Sequence, residues 1–382
     1  MSGTIVNRRR RPSQGVSILV SAPPRCDRPR RGSAGIRVTF RWRTGTSEAL
    51  RLRSVSIRLG YQIPNFTYPG PATGIFPTVA AQARAAERSG FDTVFVMDHF
   101  YPLPLIGSPD EPMLEAYSTL AALAAVTTSI RLSALVTGNT YRNPALLAKT
   151  VTTVDVISGG RAVLGLGAGW YEFEHRAYGF EFGSLRERFE RLGESLEIVV
   201  PMLRGERPSV DGRWYHTEDA RNEPRLRNDL PVLIGGGGER RTFAFAARWA
   251  DHLNILCAAR EIPRKLAAVR ARCAELGRDP ASLDVSYLGY VMIDENGDRA
   301  RDLHRQFLLA RGIDLRRLTE RESAAATDRH FVGTPAEVAE EFDHRVLRHG
   351  IDRLIVNLVT NGHEEGIVEL TGRTLTDLLA GR

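Results

Sequence analysis

Asp98 and His99 stand side by side at the end of the apolar run Thr93–Met97. A carboxylate next to an imidazole at a strand end can hold and move a proton, because histidine titrates near neutral pH. A second candidate is Gly235, Gly236, Gly237 and Gly238, followed by Glu239, Arg240 and Arg241. Consecutive residues without side chains leading into a helix expose backbone N–H groups, and Arg240 adds charge. That arrangement suits an anion such as a phosphate. A third is the stretch from Val136 to Pro144, where Thr137 offers a hydroxyl and Gly138, Asn139 and Asn143 allow unusual backbone angles. A tight turn and a ligand contact both account for it. The glycines of Gly165–Gly169 fall short of a dinucleotide fingerprint, since Trp170 stands where the last small residue belongs. Their small size predicts room for a flat ligand. Trp170, Tyr171, Glu174 and His175 follow, as pocket lining or as ordinary packing.

Other chemistries find no support. The remaining histidines form no HxH or HExxH spacing, so a metal site is not expected. There is no GxSxG elbow, and Cys26, Cys257 and Cys273 show neither CxxC nor metal spacing. An odd, sparse cysteine set fits a reducing compartment, and the expected location is cytoplasmic.

These residues need a scaffold that collects strand ends. The 382 residues carry a net charge of +7, but the sign divides. Residues 1–58 hold 14 Lys+Arg against 2 Asp+Glu, whereas residues 59–382 hold 38 against 43. The body is mildly acidic, which argues against a nucleic-acid partner. No apolar run reaches the length of a membrane span, so no membrane partner is expected either. Residues 1–56, rich in Arg and Pro, read as a disordered extension. From 57 to 382, eight apolar runs alternate with amphipathic helices: 57–63, 93–97, 130–137, 161–167, 231–235, 252–256, 284–293 and 353–359. Eight such alternations predict an α/β fold, a (β/α)8 TIM barrel, whose chemistry sits at the carboxyl ends of the strands. The helix at 184–203 places Leu185, Phe189, Leu192, Leu196 and Val199 on one face. The stretch 208–219 reads as an inserted hairpin centred on Asp211–Gly212.

Taken together, the body resembles the luciferase-like superfamily of flavin and deazaflavin oxidoreductases. The resemblance rests on Leu59–Pro64, Phe91–Phe100, Tyr141–Ala145, Ser158–Arg161, Arg186–Arg191 and Ile234–Glu239, in that order. It is closest to the branch that uses coenzyme F420. What it implies is hydride transfer between a small organic substrate and F420, in a barrel that is often a homodimer. The alternative is an FMN-dependent monooxygenase that uses O2. It further implies His99 as the acid/base, with Asp98 and Thr137 against the cofactor ring. A bulge at Ala134–Thr137, often with a non-proline cis peptide, would lie behind that ring. The cofactor phosphate would rest on Gly235–Gly238, with Arg240 nearby. The sugar-phosphate branch has an acidic residue where Trp170 stands and a Trp where Leu103 stands. These departures imply a more apolar substrate.

Overall fold

The computed structural model describes residues 57–382; the expected extension at 1–56 lies outside the described residues. Eight parallel strands pair in chain order: Arg58–Ile63, Thr93–Val96, Arg131–Ala134, Ala162–Gly167, Val232–Gly235, His252–Ile255, Asp284–Ile293 and Arg353–Asn357. The eighth pairs with the first, Ile355 opposite Gly60, so the sheet closes into the expected barrel. Each strand is covered on both faces, which is why it reads as a nearly unbroken apolar run. Phe95, Leu233, Leu288 and Ile355 meet inside the ring. Their neighbours Val94, Val96, Val232, Ile234, Leu354 and Val356 point outward and pack beneath the helices.

The helix signals act locally. Asn143 caps the helix Pro144–Ser158 by accepting from the Ala145 and Leu146 amides, at 2.9 and 3.2 Å. Its role is thus a helix start rather than a turn or a ligand contact. Ser184 with Glu187, and Thr334 with Glu337, form reciprocal capping boxes. The helix Leu185–Arg204 buries Leu192, Leu196 and Val199 as its spacing predicts. Leu185, expected on the same face, is 60% exposed and borders a groove described below.

The hairpin lies where its turn signals place it, Val210–Asp211 against His216–Thr217. Asp211–Gly212 opens the loop instead of centring it. Glu194 accepts the amides of Arg213, Trp214 and Tyr215 and so fastens the insertion to the barrel. Arg161 closes the opposite, amino-terminal end of the strands. Its guanidinium donates to the Ser158, Ile130, Ala124 and Thr127 carbonyls and to the Thr127 hydroxyl. Elements without a clear sequence signal also appear. A short strand, His330–Gly333, pairs with the outer end of the seventh strand, and the helices Glu172–Tyr178, Glu320–Thr327 and Ile367–Ala380 fill gaps between strands. Among the described residues, no helix is long and apolar enough to cross a membrane.

Glu87, in the helix Ile75–Arg88, accepts the amides of Thr128, Ser129 and Ile130 before the third strand. Burial pushes its carboxyl up, but these hydrogen bonds outweigh burial and hold it at about 2 against an ordinary 4.5. A depressed carboxylate stabilises the fold fully above its unfolded value and loses that contribution as pH falls through the folded one. Discounted for solvent screening, the contribution is about 1–2 kcal/mol. Glu87→Gln should lower the unfolding free energy by that amount at neutral pH. In urea titrations, the gap to wild type should shrink as pH drops from 4.5 toward 2.

Candidate active site

The third strand stops at Ala134 and resumes as Thr137–Gly138, which pairs with the end of the fourth strand. Between them the chain bulges, and the Leu135–Val136 peptide is cis, as the resemblance implies. The bulge drives the Ala134 carbonyl and the Val136 side chain against the neighbouring strands. A Cβ on Gly165 would lie 2.0 Å from the Ala134 oxygen. On Gly167 and Gly235 it would lie 2.7 and 2.8 Å from Val136. A side chain at Gly165 would collide with backbone, and one at Gly167 or Gly235 would force Val136 to move. The reason for Gly165 and Gly167 is therefore packing, which replaces the expected space for a flat ligand. Gly235, expected in the anion loop, answers to the same constraint.

Asp98 is buried and holds the bulge from the second strand. It accepts the Gly138 amide at 2.9 Å and both Arg142 Nη atoms at 2.7 and 2.9 Å. Burial pulls the Arg142 guanidinium down, but Asp98 outweighs it and keeps the group above its ordinary value. Arg142 also reaches Glu115 at 2.6 Å and lies over the Tyr117 ring. The Tyr117 hydroxyl meets Thr137 Oγ1 at 2.6 Å, and Thr137 has no exposed surface. This revises both expectations of ring contact. The polar atoms of Asp98 and Thr137 are engaged within the protein, and what they visibly do is position the bulge.

His99 turns the other way. Its Nδ1 lies 2.8 Å from Glu174 Oε2, and its side chain is 15% exposed. Glu174 is fully buried and also accepts the amides of Phe100 and Tyr101 and the hydroxyl of Tyr141, at 2.6, 3.0 and 2.8 Å. Burial pushes the Glu174 carboxyl up, but the hydrogen bond and charge of His99, with the other donors, outweigh it and hold the group below its ordinary value. The rings of Trp170 and Tyr171 stand edge-on to His99, each 6.0 Å away, and Trp170 is 60% exposed. His175 plays no such part. It is buried between the Tyr171 carbonyl and the Thr140 hydroxyl, and burial depresses its titration.

The glycine loop leaves the fifth strand with Gly236 at φ 142°, a conformation that side chains rarely permit. A Cβ on Gly237 would lie 2.4 Å from the Leu256 carbonyl oxygen. Lys265 ties the loop down from the side, donating to the Gly237 carbonyl at 2.8 Å. Gly237 and Gly238 form one wall of an open groove of about 770 Å³. Its basic side chains are Arg186, Arg240, Arg241, Lys265 and Arg272, and its one acid is Glu239. Glu239 is paired with Arg264 and Lys265, which leaves exposed Arg240 facing solvent without that neighbour.

A family described as luciferase-like monooxygenase matches residues 57–359, nearly the whole barrel. The chain belongs to this family. The F420-dependent glucose-6-phosphate dehydrogenase of Segniliparus rotundus is 31% identical over 240 residues, 60% of this chain and 67% of that protein. The F420-dependent hydroxymycolic acid dehydrogenase of Mycobacterium tuberculosis is 30% identical over 232 residues, 59% and 62%. The chain thus matches about two thirds or less of the length of these relatives. An F420-dependent secondary alcohol dehydrogenase, solved with an F420-acetone adduct, superposes with a TM-score of 0.68 at 19% identity, over 84% of this chain and 98% of that one. That likeness shows the shared barrel. The family and both relatives carry the names of redox enzymes, a monooxygenase and two F420-dependent dehydrogenases.

Within the luciferase-like barrel, the bulge brings the site residues into one frame. Asp98 binds its Gly138, Thr137 lies within it, and Gly235 abuts its Val136. Sequence reasoning left Glu174 as pocket lining or packing, and it placed Val136, Tyr141 and Arg142 within motifs without giving any of their side chains a role. A fully buried Glu174 and a half-exposed Glu172 look alike in the string Glu172-Phe-Glu-His175. Gly167→Ala should cost about 1–3 kcal/mol in denaturant unfolding. Val136→Ala in the same chain should recover much of that loss, because the clash is with Val136 Cγ2 alone. Additive losses would show that the bulge does not set the glycine.

Proposed function

We propose that this protein transfers hydride between a small, uncharged organic substrate and coenzyme F420, with His99 as the acid/base. The observation that carries the reading is the placement of His99. It is fixed through Nδ1, and its Nε2 has no protein partner among the described residues. That atom can take the proton of a substrate hydroxyl as its carbon loses hydride, or return one in the reverse direction. When bound, the deazaflavin supplies a hydride acceptor that reacts poorly with O2.

The residues present suit such a group. The groove at Gly237 and Gly238 presents backbone, with Arg240 and Arg241 as the basic side chains that have no acidic partner among the described residues, to an anionic tail. The bulge offers a rigid apolar face beside it, carried by Val136. Arg142 is committed to Asp98 and Glu115, and among the described residues no Arg or Lys is hydrogen-bonded or ion-paired to His99, which agrees with an uncharged substrate. Trp170, in the place of an acidic residue in the sugar-phosphate branch, agrees with an apolar substrate. The names of the two dehydrogenase relatives support F420, and the family description keeps FMN with O2 as the alternative.

Titrating the apoprotein with F420 and with FMN separates the two. F420 should bind with a Kd in the micromolar range or tighter, about −8 kcal/mol. Tight FMN binding without F420 binding would overturn the cofactor assignment. His99→Ala should lower kcat by about 10²–10⁴-fold with the cofactor Kd nearly unchanged. Arg240→Ala should do the reverse, weakening the cofactor about tenfold through a lost charged hydrogen bond.

A further inference from the structure

We propose that Glu174 is a positioning residue that fixes the His99 tautomer, holding the proton on Nδ1 so that Nε2 is the reactive atom. The inference rests on His99 being the acid/base but not on which cofactor binds. It begins from a count of donors. A carboxylate offers about four acceptor positions, and buried Glu174 meets three donors, the Phe100 amide, the Tyr101 amide and the Tyr141 hydroxyl, and a fourth partner, the His99 ring, whose role depends on its tautomer. The two amides can only donate, and both approach Oε1. Tyr141 and His99 share Oε2. A fully buried carboxylate is tolerated only when its lone pairs are used in this way. With the group ionised, the ring atom facing it at 2.8 Å must carry hydrogen. The neutral imidazole then has its lone pair on Nε2, on the side of the ring away from Glu174.

A simpler role, in which Glu174 only staples the two loops, explains the bonds to Phe100, Tyr101 and Tyr141. It leaves the bond to His99 without a purpose. The difference has a sharp consequence in Glu174→Gln. The glutamine oxygen must remain on the two amides, since nothing else there can accept from them. Its NH2 group then faces His99 and needs an acceptor. The ring should answer by moving its hydrogen to Nε2, which removes the lone pair from the reactive side. The side chain keeps its size, so the loops keep their contacts.

Nitrogen NMR of the imidazole in the cofactor-free, full-length protein reads this directly, at a pH where the ring is neutral. Wild-type His99 should show hydrogen on Nδ1, and Glu174→Gln should show it on Nε2. With whichever cofactor binds, kcat of the variant should fall between about 10- and 10³-fold, as for other carboxylates that orient a catalytic or metal-bound histidine. KM and the cofactor Kd should stay within about threefold. Hydrogen on Nε2 in the wild-type protein would overturn the proposal without any variant, and so would a Glu174→Gln ring that keeps its hydrogen on Nδ1. A moved hydrogen with unchanged kcat would instead overturn the acid/base role of His99, leaving the hold of Glu174 on the ring established.

Discussion

The packing of the third, fourth and fifth strands at the mouth of this barrel depends on where two groups next to the third strand go. The Ala134 carbonyl and the Val136 side chain leave the regular line of the sheet and occupy space that side chains of the next strands would otherwise fill. Three glycines on two different strands follow from that single excursion. So does the use of Asp98, whose carboxylate binds the Gly138 amide at the far end of the bulge. An irregular strand inside a closed sheet survives only if its displaced backbone groups find partners. Asp98 supplies one of them, and the Gln62 side chain, donating to the Leu135 carbonyl, supplies another.

Electrostatics at the site is organised around two buried acids with different tasks. Asp98 faces a guanidinium that is itself shared with Glu115, and the result is a rigid corner beneath the bulge. Glu174 faces neutral donors and one imidazole, and the result is an oriented ring at the surface. Arginine suits the first task because its charge is permanent and its fork matches a carboxylate. Histidine suits the second because its two ring nitrogens are distinct, so that one can be held while the other faces away.

The eight strands and the hairpin were legible because each is announced locally, by an apolar run or a turn residue. The glycine loop and His99 were legible as positions, because each directly follows an apolar strand run whose end the sequence marks. What the sequence could not show is which way a side chain turns. The resemblance implies Asp98 and Thr137 against a cofactor ring, yet Tyr117 and Arg142, distant in sequence, draw them inward. Glu174 gained its role only when the helix Glu172–Tyr178 brought it under the loop after the second strand. Short helices of that kind are set by what they pack against, and their own sequence carries little signal.

Asp98 and His99 are consecutive, yet one is drawn to the bulge and the other to the loop beyond the fourth strand. The dipeptide is thus held by opposing anchors, and the imidazole has little rotational freedom left before any substrate arrives. Ordering a mobile side chain on binding costs about 0.5–1.5 kcal/mol. Here that cost falls in folding, so a molecule that comes to lie against the ring would not have to freeze it.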